Sequence, residues 1–356
     1  MIISYEEERK LTKTILCSYG MLPEEADTVG KVVTHSDFTG VYSHGLSRII
    51  LYIRQLANGS MNPKPEIKLL RNSGATLRYD CDNGSGIVAV DTVFKDVVRK
   101  AREYGIGIAT GMHSSNIGCG AYYGLRAAEE DVIGIVCCNT LPSMAPFGGA
   151  DALIGTNPII VGVPTDKERP IVLDMSTSGV AMGKIQAAKR EGRPIPLGWA
   201  NDVNGAPTTD PASAYTVLPI AGPKGYGLAV VVDVLSAILA GAAFGSDTGT
   251  VEPLTAENTG FCIVVIDPAK FMPIEEFKER ADKYVRMLKH SRAAVGFDMV
   301  MLPGEPEQLN LERFMKSGIE VSEAIAAELC QLSEKSGLLH QGEGFSDLIE
   351  KVKRQA

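Results

Sequence analysis

The sequence is poor in the residues on which metal sites and many catalytic motifs depend. Its 356 residues include five histidines, seven cysteines and one tryptophan. No two cysteines are spaced as CxxC, and no His or Cys pair has the spacing of zinc ligands, so we expect no metal site. The cysteines are dispersed and odd in number, and we expect them to be small buried hydrophobic residues in a reducing compartment.

Long apolar runs and excess positive charge are also absent. No run reaches 18 apolar residues, so we expect no transmembrane helix. The first residues, MIISYEEERKLTK, lack the basic segment and apolar core of a signal peptide, and we therefore expect a cytoplasmic protein. A net charge of −8 argues against nucleic acid or an anionic membrane as a partner. A small carboxylate substrate still fits, because one Arg or Lys can dominate a site.

The usual nucleotide-binding and hydrolase fingerprints are missing as well. The stretches GIGIATG and GCGAYYG come nearest to GxGxxG, but Thr110 and Tyr123 stand where the last glycine is needed. Neither a GxxxxGK[ST] loop nor a GxSxG elbow is present. We therefore do not expect a Rossmann cofactor site of the ordinary type.

Helical and strand periodicities divide the chain into two kinds of segment. Residues 1–65 and 305–356 are expected to form a helical lobe, and residues 66–304 an α/β core. The predicted helices are 5–18, 23–38, 43–58 with Ser43 as N-cap, 87–103, 119–130, 274–289 and 321–335. The predicted strands are EIKLLR, ATLRYD, GIGIATG, VIGIVCCNT, PIIVGVP, PIVLDMS, GFCIVVID and FDMVML. This alternation predicts an α/β fold with a large mixed sheet and flanking helices.

Two further segments stand out by composition. Residues 185–222 are rich in proline and turn signals, and we predict a long ordered loop, which in most proteins is functional. The following stretch, GYGLAVVVDVLSAILAG over residues 225–241, is apolar all round, and we predict a buried helix.

The stretch VYSHGLSRI, residues 41–49, carries the first candidate chemistry. On a helix, His44 and Arg48 are four residues apart and share a face. A guanidinium can bind a carboxylate through two hydrogen bonds, and an imidazole can pass a proton to an adjacent oxygen. Arg48 should also lower the pKa of His44 when no anion is bound. The spacing alone leaves a second interpretation open, in which both side chains merely face solvent at a capped helix start.

Other polar or glycine-rich stretches follow predicted strands, where open α/β sheets bind ligands. In HSSNIGCGAYYG, residues 113–124, the polar side chains could equally cap a helix, and NTLPSMAPFGGADALIGTNP, residues 139–158, could be ordinary turns. In LDMSTSGVAMGK, Asp174 closes a strand and small residues open a helix, as in phosphate sites, with Lys184 either serving that site or solvating the helix. Lys224 in AGPKGYG stands at the positive end of a helix, which indicates an anionic partner or a solvated loop lysine.

Six segments between residues 41 and 307 together resemble a known family. They are VYSHGLSRI, PFGGADALIGTNPII, VLDMSTSGVAMGKI, NGAPTTDP, LPIAGPKGYGLAVVVDVLSAILAGAAFG and LPGEPE. In this order they resemble the type-2 malate/L-lactate dehydrogenase family, which includes ureidoglycolate, sulfolactate and diketogulonate oxidoreductases. The resemblance implies a non-Rossmann dinucleotide-binding fold, NAD or NADP as cofactor, and a homodimer.

The resemblance also implies roles for individual residues. His44 is similar to the family's proton donor and acceptor, and Arg48 to its substrate-carboxylate clamp, with Ser43 and Tyr52 beside them at the substrate. The residues implied at the cofactor are Thr140, Asp174, Met175, Ser176, Lys184, Lys224, Gly225, Gly304 and Glu305.

Asn116 departs from the family pattern, which usually has a histidine at this place. Asparagine cannot transfer a proton at neutral pH, although it can hydrogen-bond a carbonyl or hydroxyl. Either His44 transfers the proton alone, or His113 reaches in from three residues upstream, or the activity is altered. We adopt His44 as the acid/base, with Asn116 orienting the substrate oxygen.

These observations predict an NAD(P)-dependent oxidoreductase that acts on C2 of a small 2-hydroxy or 2-oxo acid of the malate or lactate type. Ureidoglycolate oxidation is the alternative within the same class. A catalytically weak paralogue that binds a dinucleotide, or a metabolite-binding module without cofactor, are alternatives of another class. The identity of the acid and the choice between NAD and NADP stay open.

Overall fold

The centre of the molecule is a mixed β-sheet. The computed structural model describes residues 1–354, and within them seven strands form one sheet in the order β2-β3-β4-β11-β5-β6-β7. Their bounds are β2 Lys68–Ser73, β3 Thr76–Asp80, β4 Ile106–Ser114, β5 Ile133–Cys138, β6 Ile159–Val163, β7 Ile171–Met175 and β11 Thr259–Ile266. Strands β3 and β4 run parallel, and the other neighbours run antiparallel. The predicted large mixed sheet is therefore confirmed.

Two helices cover one face of this sheet, α4 over Gly86–Tyr104 and α5 over Ala121–Glu129. Phe94 from α4 and Ala127 from α5 are fully buried against Val136 of β5 and Ile263 of β11. Helix α5 lies so close to β6 that a Cβ on Gly162 would overlap the Gly124 backbone. Small residues therefore set how closely α5 packs on the strands that lead to the site.

The chain ends form a helical layer, as the sequence predicts. It contains α1 Tyr5–Ser18, α2 Pro23–Phe38, α3 Leu46–Asn58, α9 Glu305–Ser317, α10 Glu323–Lys335 and α11 Phe345–Arg354, with a small pairing of β1 Ile2–Ile3 and β12 Ile319–Glu320. Leu11 and Ile15 of α1 share one hydrophobic core with Leu329 of α10 and Leu348 of α11. This core continues into Val88 of α4 and Val172 of β7, and the division at residues 65 and 305 stays a prediction.

The long loop predicted over residues 185–222 is wrong in part. Helix α6, Met182–Glu191, occupies its start, and in the described chain β8 Ala200–Asn201, β9 Pro207–Thr208 and β10 Thr216–Val217 form a second, three-stranded sheet. Ile185, Ala200 and Val217 are buried in a separate small core. Strands of two residues carry no readable alternation, which is why the sequence shows only turns here.

The helix predicted over residues 225–241 is present, but the prediction that it is buried is wrong in part. Helix α7, Pro223–Asp233, continues into a π-helical turn over Val234–Ile238. Ala229, Val232 and Ala237 face inward, but Val231, Ile238 and Leu239 are 53%, 56% and 57% exposed. An all-round apolar pattern indicates burial without saying whether this chain or another molecule covers the helix.

The C-terminal third contains one wrong strand and two helices that the sequence did not reveal. Residues of FDMVML, 297–302, form no strand in the described structure, whereas α8 over Ile274–Lys289 agrees with its predicted bounds. Helices α9 and α11 were not predicted.

No helix within residues 1–354 has both the length and the apolar character needed to cross a membrane. Among the same residues, no cluster of three or more His, Cys, Asp or Glu could hold a metal ion.

Candidate active site

A cavity of about 890 Å³ lies where the helical layer, the carboxyl end of β7 and helix α6 meet. Its volume is within the range of roughly 300–1,000 Å³ typical of small-molecule and cofactor sites. The polar residues that line it include Ser43, His44, Arg48, Gln55, Asn116, Asn139, Thr140, Thr156, Asp174, Ser176, Lys184, Glu257 and Glu307. Gly304 also lies on the wall.

The start of α3 positions the His44 side of the cavity. The predicted N-cap at Ser43 is wrong: Tyr42–His44 form a 3₁₀ turn, Gly45 is the N-cap, and α3 begins at Leu46. The cap is supplied from α2, because the Leu46 N–H donates to Asp37 Oδ2 at 2.7 Å. A Cβ on Gly45 would overlap the Asp37 carboxylate, so only glycine leaves room for this cap.

His44 therefore precedes the helix that carries Arg48, and the shared helical face predicted from their spacing is wrong. Both side chains nevertheless line the same cavity. The Ser43 hydroxyl lies 3.0 Å from His44 Nδ1 and fixes the orientation of the ring. Burial, reinforced by the Arg48 charge, lowers the pKa of His44 from 6.5 to about 4. The imidazole is therefore neutral at pH 7 and able to accept a proton.

Arg48 is available for an anion. Its Nε is buried and has no hydrogen-bond partner among the described residues. Glu257 and Gln55 line the wall of the same cavity, and Gln55 Nε2 donates to Glu257 Oε1 at 3.0 Å. A buried, unpaired guanidinium N–H carries a large desolvation cost, which a bound carboxylate would relieve.

Asn116 is held in one orientation by hydrogen bonds to its carbonyl oxygen. Tyr52 Oη donates to Asn116 Oδ1 at 2.7 Å, and the Gly118 N–H donates to the same atom at 3.0 Å. Because Oδ1 accepts both bonds, the Asn116 Nδ2 amide is left to donate to another group. Burial raises the pKa of Tyr52, which therefore stays a neutral donor.

Asp174, the penultimate residue of β7, accepts a hydrogen bond from the start of α5. Its Oδ2 accepts from the Ala121 N–H at 2.7 Å, at the start of α5. Burial, with a smaller contribution from Glu307, raises the pKa of Asp174 to about 6, although the Ala121 N–H opposes this shift. The carboxyl group thus lies on the cavity wall with one oxygen already committed to the helix start.

Several residues named from the sequence lie outside the cavity wall. In the described structure these are His113, Tyr52, Met175, Lys224, Gly225 and Glu305. His113 Nδ1 lies 2.9 Å from Asp80 Oδ1, and Tyr52 stands behind Asn116. Glu305 accepts from the Leu302 N–H and forms an ion pair with Lys289, whereas Lys224 is exposed at the start of α7. The other nine named residues line the cavity.

Sequence reasoning missed Gln55, Glu257 and Glu307. Gln55 follows Arg48 by seven residues, a helical spacing that places both on one face of α3, so this residue could have been found. Glu257 lies in the loop before β11, and no local pattern connects it to α3. Glu307 stands in the LPGEPE segment, but its neighbour Glu305 was named instead.

The cavity wall carries groups of the kinds that bind a dinucleotide. Thr140 Oγ1 is buried and lacks a partner within residues 1–354. Gly304, with φ +81°, leads into α9, and a Cβ there would lie 2.7 Å from the Val172 carbonyl. Lys184 in the first turn of α6 adds a cation at the wall. Free hydroxyls, a helix start and a lysine are the groups that bind sugar and phosphate.

Comparison with known proteins agrees with these observations. Residues 3–330 match the model of the malate/L-lactate dehydrogenase family. The chain is 38% identical over 341 residues to L-sulfolactate dehydrogenase of Methanocaldococcus jannaschii, covering 95% of this chain and 98% of the relative. It is 34% identical over 327 residues to the NAD⁺-dependent ureidoglycolate dehydrogenase of Escherichia coli K12, covering 91% and 94%.

Solved structures extend the likeness to the fold. The sulfolactate dehydrogenase structure from M. jannaschii superposes with a TM-score of 0.88 at 36% identity, covering 98% of this chain and 99% of that one. Malate dehydrogenase from Pyrococcus horikoshii OT3 gives a TM-score of 0.87 at 32% identity, covering 97% of each chain. The family resemblance stated from the sequence is confirmed. The chain belongs to the malate/L-lactate dehydrogenase family.

Proposed function

We propose that the protein is an NAD(P)-dependent oxidoreductase that interconverts a small 2-hydroxy acid and the corresponding 2-oxo acid. The observation that carries the proposal is a neutral His44 imidazole and an Arg48 guanidinium whose Nε has no partner within the described residues, both on the wall of one cavity in a member of this dehydrogenase family. The nicotinamide, when bound, supplies the hydride chemistry. The chain supplies binding, orientation and proton transfer.

Arg48 is proposed to bind the substrate carboxylate. A guanidinium matches a carboxylate with two parallel hydrogen bonds, which fixes both the position and the direction of the substrate. The unpartnered Arg48 Nε supports this role. Ser43 is proposed to contribute at the substrate by orienting the His44 ring.

His44 is proposed to move the proton of the C2 oxygen. With a pKa of about 4 before substrate binds, His44 is neutral and accepts the hydroxyl proton during oxidation. A carboxylate on Arg48 offsets the guanidinium charge and raises the imidazole pKa, which favours holding that proton. In reduction the protonated ring returns it to the oxygen.

Asn116 is proposed to orient the substrate oxygen through its Nδ2 amide, and Tyr52 to act through Asn116. Residues Thr140, Asp174, Ser176, Lys184 and Gly304 are proposed to hold the dinucleotide. Met175, Lys224, Gly225 and Glu305 are proposed at its periphery, on the strength of the family resemblance alone.

The substrate is proposed to be one of the acids that name the relatives. These relatives include sulfolactate, malate and ureidoglycolate dehydrogenases. An absorbance screen at 340 nm with malate, lactate, sulfolactate and ureidoglycolate, each with NAD⁺ and NADP⁺, tests the proposal. Formation of reduced nicotinamide with at least one acid is expected, and none with any pair would contradict it.

A catalytically weak dinucleotide-binding protein is the second candidate. Asn116 at the place of the family's usual histidine favours it, because an amide cannot replace an acid/base. Enhanced NADH or NADPH fluorescence on binding, together with absence of turnover across the same acids, would select this alternative.

A homodimer is proposed from the exposed apolar residues of α7 and its π-helical turn. Leu228, Val231, Ile238 and Leu239 together leave an apolar face larger than isolated surface residues would give. A second copy of the chain would cover it.

We also propose a cytoplasmic location, since all seven cysteines are unpaired within the described chain and most are buried.

A further inference from the structure

Glu257 is a buried carboxyl group on the cavity wall that the proposed reaction does not use. It stands two residues before β11 and is 8% exposed. It lines the cavity together with His44, Arg48 and Asn116, so it faces the space where the substrate is proposed to bind. Burying an ionised carboxyl group costs free energy unless hydrogen bonds or opposite charges compensate it.

Three groups stabilise the anionic form of Glu257. Burial raises the pKa of Glu257 above its ordinary value, and the Gln55 amide, the Arg48 charge and the Asn116 N–H oppose only part of this rise. The Gln55 bond to Oε1 measures 3.0 Å. These partners join Glu257 to α3 and to the Asn116 loop, the two segments proposed to hold the substrate.

The charge balance around the substrate changes when a carboxylate binds. Arg48 then has a matched anion, and Glu257 remains as a second negative charge beside it. A further anionic group on the substrate would be repelled by Glu257. A neutral N–H group at the same place would be attracted, because a carboxylate only accepts hydrogen bonds when ionised.

We propose that Glu257, held by Gln55, selects substrates that carry one carboxylate and a neutral N–H-bearing substituent, such as an amide or ureido group, over dianionic 2-hydroxy acids. This inference rests on the proposed function and names its substrate class. Specificity in this form comes from a repulsive element against the wrong substrate as well as an attraction to the right one.

The test compares malate with malamate, its 4-amide, in the oxidation direction at pH 8.5. The two acids have nearly the same size and differ in one charged group. We expect wild-type kcat/KM for the amide to exceed that for malate by about tenfold or more, the effect of one buried charge. Glu257→Gln keeps the shape and an acceptor for Gln55, and it should reduce the ratio by about tenfold. Glu276→Gln, which removes an exposed carboxylate on α8, should leave the ratio within about twofold.

Two results would overturn the inference. One is a wild-type preference for malate, as expected if Lys184, the other cation on the wall, binds a second anion. The other is an unchanged ratio in Glu257→Gln, as expected if Glu257 only steadies Arg48 and affects both acids equally. Dissociation constants of both acids from calorimetry give the same ratio without turnover. Failure of the proposed function, no oxidation of any acid, is therefore distinguishable from failure of the selectivity.

Discussion

Helices α3 and α7 are two apolar helices that the molecule uses in opposite ways. In α3, Ile49 and Ile53 are fully buried in the helical layer, and the polar side presents Arg48 and Gln55 to the cavity. In α7, Ala229 and Val232 face inward while Leu228 and Val231 stay open to solvent. Helix α3 thus completes its packing within the chain, and α7 does not.

The difference teaches what each helix contributes. An amphipathic helix with its own buried core can hold a charged side chain at a fixed place, which a proton-transfer site requires. A helix with apolar residues on its outer side has no such polar face, and its pattern suits contact with a second copy. Catalysis is therefore proposed to depend on α3 and the turn that precedes it, and assembly on α7, and the two can be separated by mutation.

The largest effect is expected on the α3 side, from His44→Ala. Removing the proposed acid/base should lower kcat by about 10²–10⁴-fold. The exposed His340→Ala should leave kcat unchanged and is the matched control. Steady-state rates on the best substrate of the screen measure both. A change of only a few-fold in His44→Ala would remove the proton-transfer role.

The next effect concerns α7. Val231→Asp places a charge within the exposed apolar face and should weaken self-association by about 100-fold. Leu197→Asp, at an exposed apolar loop residue that is not part of α7, is the control and should leave the assembly intact. Light scattering over a concentration series gives the dissociation constants. Equal behaviour of the two variants would contradict a dimer through α7.

A third change acts on the entry to α3. Gly45→Ala places a Cβ on the Asp37 carboxylate and should break the cap of Leu46, at a cost of about 2–3 kcal/mol in the free energy of unfolding. Gly59→Ala at the other end of α3 meets no atom but has φ +78°, so it should cost only about 1 kcal/mol. Urea denaturation measures both. If Gly59→Ala proves the more harmful, the cap does not hold the site.

The smallest effect is a shift in pH dependence. Arg48 is the second cause of the low His44 pKa, after burial, so Arg48→Gln should raise that pKa by at most about one unit. His44 accepts a proton in oxidation, so kcat/KM falls as the pH drops through its pKa, and this acid limb should move to higher pH. Rates between pH 4 and 8 measure the shift, and movement to lower pH would contradict the arrangement.

The sequence was most informative where a single element carries a long regular pattern. Helices α1 and α2 have the predicted bounds, 5–18 and 23–38, because their apolar period is regular; in the structure Ser4 caps α1 and Pro23 is the first residue of α2. The N-cap prediction at Ser43 was wrong because the side chain that caps α3 belongs to Asp37, nine residues before Leu46. Whether the Asp37 carboxylate can reach Leu46 depends on how α2 packs against α3. The exposed face of α7 could not be foreseen either, since hydrophobicity does not say what covers a residue.

In the candidate site, too, residues in a local sequence pattern could be predicted, and residues brought together only by packing could not. His44, Arg48 and Asp174 could be named because they stand in segments that resemble a family. Glu257 could not, because its neighbour Gln55 is 202 residues away in the chain. A contact of that separation is a property of the fold, and no local pattern records it.

Strand β11 has a consequence for how the chain reaches its native state. It lies at the middle of the sheet, between β4 and β5, yet it is contributed by residues 259–266. During synthesis, β4 and β5 cannot be joined into one sheet until β11 has emerged from the ribosome. We expect slow maturation and a need for chaperone protection before that moment, because pairings so distant in sequence form late.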